Sequence, residues 1–174
     1  MMSETLEVET VDEGGWAMPA AVLRPEASRL RVAIRHVVAN ATSGKLVADA
    51  WKVAVATEVK NARDGAPWDR NAILAVSIGF RFHPPTHNCV PFADYHSSSA
   101  RRRCDVDNYL KPVLDAVARG LFWLQEQDPA EAGIWDHDDW AFRYVLAQRI
   151  LPEAESEKDE GALICVSAAT PQAI

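Results

Sequence analysis

The residues with chemistry to offer are concentrated in one stretch, Arg101-Arg102-Arg103-Cys104-Asp105-Val106-Asp107-Asn108-Tyr109-Leu110-Lys111-Pro112-Val113-Leu114-Asp115-Ala116. Asp105 and Asp107 are two positions apart. On a helix they would diverge by about 200°, whereas on extended chain they share a face. Proline is accommodated in a helix's first turn, so Pro112 predicts a helix beginning close to residue 108. That puts Asp105 and Asp107 in extended chain just before it, with Asp107 or Asn108 as the cap. Two convergent carboxylates repel, and a bound divalent cation is one physical reason to keep them together. Hard oxygen ligands favour Mg2+ or Mn2+ over zinc. The competing reading is a solvated acidic helix start, which the helix dipole also favours. Lys111 lies four residues after Asp107, on the same helix face. It could hold a water, a phosphate oxygen or a leaving group, or simply pair with Asp115 for ~0.3–0.5 kcal/mol. Asp115 is read as structural.

A second acidic run, Asp136-His137-Asp138-Asp139, follows Gly133-Ile134-Trp135 and precedes Trp140. Three acids in four residues ahead of a strand could supply further metal ligands from across a sheet. A polar turn is the alternative, and His137 reads more simply as a turn residue than as a ligand. Arg101, Arg102 and Arg103 sit directly before the first aspartates and suit phosphate contacts that position a nucleic acid rather than read its bases. Arg31, Arg35, Lys52 and Arg143 are candidates to extend that track. His83, His87, Cys89 and His96 match no zinc spacing, and Pro84-Pro85 between them reads as a rigid turn.

The elements that must position these groups follow from periodicity. Leu30, Val32, Ile34 and Val38 lie on one face with Arg31, Ala33 and Arg35 on the other, and Leu74, Val76, Ile78, Phe80 and Phe82 share a face again at period two, so both segments are predicted strands. Between them Leu46, Ala50, Val53, Ala54 and Thr57 recur at helical spacing through about Arg63, and Asp64-Gly65-Ala66-Pro67 stops that helix. Residues 83–103 read as a long loop. A second helix carries Leu110, Val113, Leu114, Val117 and Leu121 on its apolar side. Trp140, Phe142, Tyr144 and Leu146 then share one face of a strand, and Gly161 to Ala168 is the last strand. This order predicts an α+β fold, a small mixed or antiparallel sheet packed with two main helices.

The chain has 174 residues, 48% of them hydrophobic and 25% charged. That suits one domain with its own core, at ~100–200 residues per domain, and excludes collagen-like and wholly disordered classes. No run of ~18 apolar residues is present to span a membrane. The first residues lack a basic-then-apolar export signal. Three cysteines are too few for a disulfide framework, so free thiols in a reducing cytosol are expected. The net charge of −7 argues by itself against a nucleic-acid partner. Its distribution argues otherwise. Residues 1–15 hold five acids and no base, residues 152–161 five acids and Lys158, and residues 105–139 nine acids against two bases. The remainder carries +9. A basic body around an acidic centre is what a metal-dependent enzyme acting on a polyanion needs. The termini divide the chain into an acidic, mobile 1–15 and a single domain over 16–174, with 152–161 an exposed acidic loop.

The stretch Arg-Arg-Arg-x-Asp-Val-Asp-Asn-Tyr-Leu-Lys-Pro-Val-Leu-Asp-Ala, followed by Gly-Ile-Trp-x-x-Asp-Asp, resembles the RusA family of Holliday junction resolvases. The resemblance covers about residues 101–146. Its signature is Asp-x-Asp-Asn-x-x-Lys, then Asp-Asp opening a strand. By position it implies Asp105, Asp107 and Asp139 as metal-binding catalytic carboxylates, Asp138 as the neighbouring acid ligand and Lys111 as the catalytic lysine. It also implies Mg2+, with Mn2+ as a substitute, and a homodimer that cuts branched DNA. The setting would be the cytoplasm, with a phage or prophage origin. Two readings of other classes compete. One is a catalytically inactive dimeric nucleic-acid-binding module of the same fold. The other is a metal-dependent nucleotide phosphohydrolase. The basic run and the lack of a glycine-rich phosphate loop favour a polymer over a nucleotide.

Overall fold

A computed structural model of the chain describes residues 10–13, 16–19, 29–63, 65–69, 74–87, 89, 91, 106–122 and 141–168. Strands β1 (Thr10–Glu13) and β2 (Trp16–Pro19) pair antiparallel as a separate two-stranded ribbon. The main sheet contains β3 (Arg29–Arg35), β4 (Leu74–Arg81), β5 (Phe142–Arg149) and β6 (Gly161–Ala168), in the order β3-β6-β4-β5. It is mixed: β6 runs antiparallel to both β3 and β4, and β5 is parallel to β4. Helices α1 (Lys45–Ala62) and α2 (Asp107–Phe122) pack with it, and the fold is α+β as the periodicity predicted.

The sheet's register puts one apolar row after another against the helices. Val32 pairs with Ile164, which pairs with Ile78, and Leu30, Val166 and Val76 form the next row. All six are buried in one core with Trp51, Val55 and Val59 of α1 and Val113, Val117 and Leu121 of α2. Alternation with period two is what lets each strand contribute every second residue to that core.

Two faces differ from expectation. Helix α1 buries Trp51, Val55, Ala56 and Val59, while Leu46 is 86% exposed. The helix has two stripes of apolar residues. The bulky Trp51 selects the buried one, and Val55 and Val59 follow at i+4 and i+8. In β5 the pairing with β4 slips between Leu74 and Ala75, so Phe142 faces Leu74 but Tyr144 faces Ala75. The slip puts Leu146 opposite Ser77 and Val145 opposite Val76. Phe142 is buried, whereas Val145 and Leu146 are 42% and 43% exposed, because β5 is an edge strand of the sheet.

The two helices touch at Gly120. A Cβ there would lie 2.7 Å from the Ala56 carbonyl oxygen and 2.7 Å from Val59 Cβ. Gly120→Ala should therefore destabilise the fold by about 1–3 kcal/mol through overpacking, despite alanine's better helix propensity. Denaturant unfolding measures this directly, and an unchanged or raised midpoint would show that the helices part freely.

Candidate active site

Helix α2 begins at Asp107, so Asp107 and Asn108 lie in its first turn rather than in the extended chain predicted for Asp107. Pro112 stands in the second turn, not the first. A proline there leaves the carbonyl four residues earlier without its helical donor. That carbonyl belongs to Asn108, and it accepts the Ala41 N–H at 2.8 Å from the loop between β3 and α1. The sequence can thus carry Pro112 inside the helix because a neighbouring loop takes up the freed acceptor. The far end of α2 is tied in the same way. The Leu121 carbonyl accepts the Trp68 N–H at 2.9 Å and Arg63 Nη1 at 2.6 Å. A cation at a helix C-terminus is also favoured by the dipole.

Asp107 is exposed, and among the described residues its carboxylate makes no hydrogen bond or ion pair. Lys111, one turn on, is half exposed and sends its ammonium to Asp115 at 2.6 Å. Asp115 is buried, in keeping with its structural reading. Lys111 is therefore drawn along the helix by Asp115 instead of neutralising Asp107. An exposed oxygen donor with no protein cation on it suits a hard divalent ion. Among the described residues Asp107 contributes a single such donor. Asp105, Asp136, His137, Asp138, Asp139 and the arginines 101–103 lie outside the described residues. No group of three or more metal-ligating side chains occurs among the described residues.

Behind Asp107 stands a buried polar chain that the sequence reading missed. Glu160 is fully buried, although it ends the 152–161 segment expected to be an exposed acidic loop. Its Oε1 accepts the His83 N–H at 2.8 Å, its Oε2 the Val38 N–H at 3.2 Å, and its backbone carbonyl the His36 N–H at 3.1 Å. His87, with a side chain 6% exposed, puts Nε2 2.8 Å from Glu160 Oε1. The ring N–H is not well aligned with that oxygen, so this contact is electrostatic rather than a directional hydrogen bond. On its other side His87 Nδ1 lies 3.0 Å from the Tyr109 hydroxyl. Burial pushes the Tyr109 phenol above its usual pKa, Glu160's charge adds to this, and the nearby Asn40 side chain and Arg149 oppose it. The ring of Tyr109 packs 4.6 Å from that of Phe82 and 5.3 Å from that of His87, centre to centre. No local sequence signal marks Glu160 among the five acids of residues 152–161.

Of the histidines read for a zinc spacing, His83 Nδ1 meets Thr86 Oγ1 at 2.8 Å and His87 Nδ1 meets the Tyr109 hydroxyl at 3.0 Å, while His96 lies outside the described residues. The expectation of free thiols holds for the buried Cys165 but not for Cys89, which is disulfide-bonded. Arg31 and Arg35 leave β3 on the face opposite the helices, since Leu30, Val32 and Ile34 point into the core. Lys52 belongs to α1, so these basic residues do not share one face of the sheet.

A family model described as "Endodeoxyribonuclease RusA" matches residues 19–153, well over half of the chain. The chain belongs to the RusA endodeoxyribonuclease family. This match runs through every element from β3 to β5 and includes Asp107, Lys111 and the Asp138-Asp139 pair. No curated protein matches the chain. None of the described helices of this RusA-family chain is long and apolar enough to cross a membrane.

Proposed function

We propose that this chain is a Mg2+-dependent endonuclease that resolves four-way or other branched DNA junctions. It would act as a homodimer in the cytoplasm, as a protein of phage or prophage origin. Membership of the RusA family supports the nuclease class. The observation that carries the finer reading is Asp107, an exposed carboxylate without a protein partner among the described residues, one helical turn before Lys111.

In this reading Asp105, Asp107 and Asp139 hold the cation, with Asp138 beside them. When bound, the ion supplies Lewis-acid charge at the phosphoryl group. The protein's own groups do the rest. Arg101, Arg102 and Arg103 bind backbone phosphates and set the position of the DNA. The N-terminal end of α2 adds positive potential where the anionic phosphate sits. Lys111, steadied by Asp115, offers a cation to the negative charge that develops on the phosphate as water attacks phosphorus in line. The attacking water gives up a proton to solvent as its oxygen bonds to phosphorus, the phosphodiester P–O bond breaks, and the leaving oxygen takes up a proton.

The test uses a synthetic four-way junction, a linear duplex of the same sequence and a nucleoside triphosphate, each with Mg2+ or with chelator. Junction cutting that needs the metal is the expected result. Binding of the junction without cutting under any metal condition would favour the inactive module, and turnover of the nucleotide alone would favour a phosphohydrolase.

A further inference from the structure

We propose that His87, Tyr109 and Glu160 form a buried positioning device that fixes the first turn of α2, and through it Asp107 and Lys111. This inference rests on the nuclease reading for its consequence in catalysis, but its structural part stands apart from it.

Three observations carry it. First, Tyr109 is two residues from Asp107 and two from Lys111, on the inward side of the same turn, and is itself buried. Its hydroxyl is not needed for apolar packing, yet it is carried into the core and met by His87 Nδ1 at 3.0 Å. A buried hydroxyl is kept where its hydrogen bonds fix a geometry. Second, the chain does not end at His87. Glu160 anchors the imidazole from behind while also binding the backbone at Val38 and His83. One carboxylate therefore ties together the end of β3, the segment after β4, and the start of β6. Third, the loop between β3 and α1 supplies Ala41, whose N–H donates to the Asn108 carbonyl released by Pro112. The first turn of α2 is consequently held from two sides, at the backbone of Asn108 and at the side chain of Tyr109. A turn with a proline behind it lacks part of its own ladder, so outside contacts must set its position.

The consequence is specific. Displacement of catalytic groups by about 1 Å can cost on the order of a hundredfold in rate. A phenyl ring in place of Tyr109 keeps the aromatic packing and removes only the hydroxyl. The experiment compares wild type, Tyr109→Phe and His87→Gln. Amide hydrogen exchange is read at residues 106–111 in metal-free protein, Mn2+ affinity by calorimetry, and junction cleavage as separate kcat and KM. We expect faster exchange confined to the first turn of α2, Mn2+ binding weakened several-fold, and kcat lowered roughly tenfold or more with KM little changed. Wild-type exchange and Mn2+ affinity in both variants would overturn the proposal. So would faster exchange spread evenly over the sheet, which would mark these residues as ordinary core. If wild type cuts no junction, the nuclease reading fails, while the exchange arm still decides whether the device exists.

Discussion

Glu160→Ala should cost this domain about 3–5 kcal/mol, from leaving two buried backbone donors without their acceptor. The side chain satisfies two backbone donors, Val38 N–H and His83 N–H, and faces the His87 imidazole. Alanine leaves all of them facing a void. Each buried donor without an acceptor costs about 1–3 kcal/mol, and domains of this kind have only about 5–15 kcal/mol in total. The expected drop in Tm is roughly 10 °C or more. Glu160→Gln should cost less, because the amide oxygen can still serve one of the two donors. Thermal unfolding of the two variants beside wild type measures this. A Glu160→Ala protein as stable as wild type would mean that the carboxylate is solvated in solution and that the polar chain behind α2 does not hold.

Asp107→Asn should act in the opposite way, sparing the fold and removing activity. Asp107 is exposed and makes no ion pair among the described residues, so its stability effect should lie within about 0.5 kcal/mol, as for surface changes away from special features. Junction cutting should fall by at least about a hundredfold, comparable to losing one preorganised electrostatic group in an active site. Junction binding should be retained, and should tighten slightly at low salt because a negative charge has been removed beside the phosphates. Single-turnover cleavage and a binding titration in chelator separate the two effects. Cleavage at the wild-type rate would remove Asp107 from the chemistry.

The two helices and the four strands of the main sheet were legible because each carries its own period: two in Leu30–Ile34 and Leu74–Phe80, 3.6 in Val113–Leu121. What stayed illegible was set by neighbours. The buried face of α1 was decided by Trp51 among two apolar stripes. The pairing of β5 was decided by a slip against Leu74 and Ala75, and its exposure by its place at the sheet edge. Pro112 was expected to mark the first turn, a sound rule for an isolated helix, and it failed because Ala41 supplies the donor that satisfies Asn108. Glu160 was hidden most completely. In a run of acids, nothing local distinguishes the one carboxylate that folds inward from those that remain in water. Of the candidate site, the spacing of Asp107, Lys111 and Asp115 was legible, since residues four apart share a helix face, and the Lys111–Asp115 pair follows from it.

The most direct measurement is an anomalous-difference map from a crystal of the protein grown with Mn2+. A single strong peak is expected in contact with the Asp107 carboxylate and shared with oxygens of Asp105 and of the Asp138-Asp139 pair. Density elsewhere, or an Asp139 carboxylate on the far side of the molecule from Asp107, would contradict it.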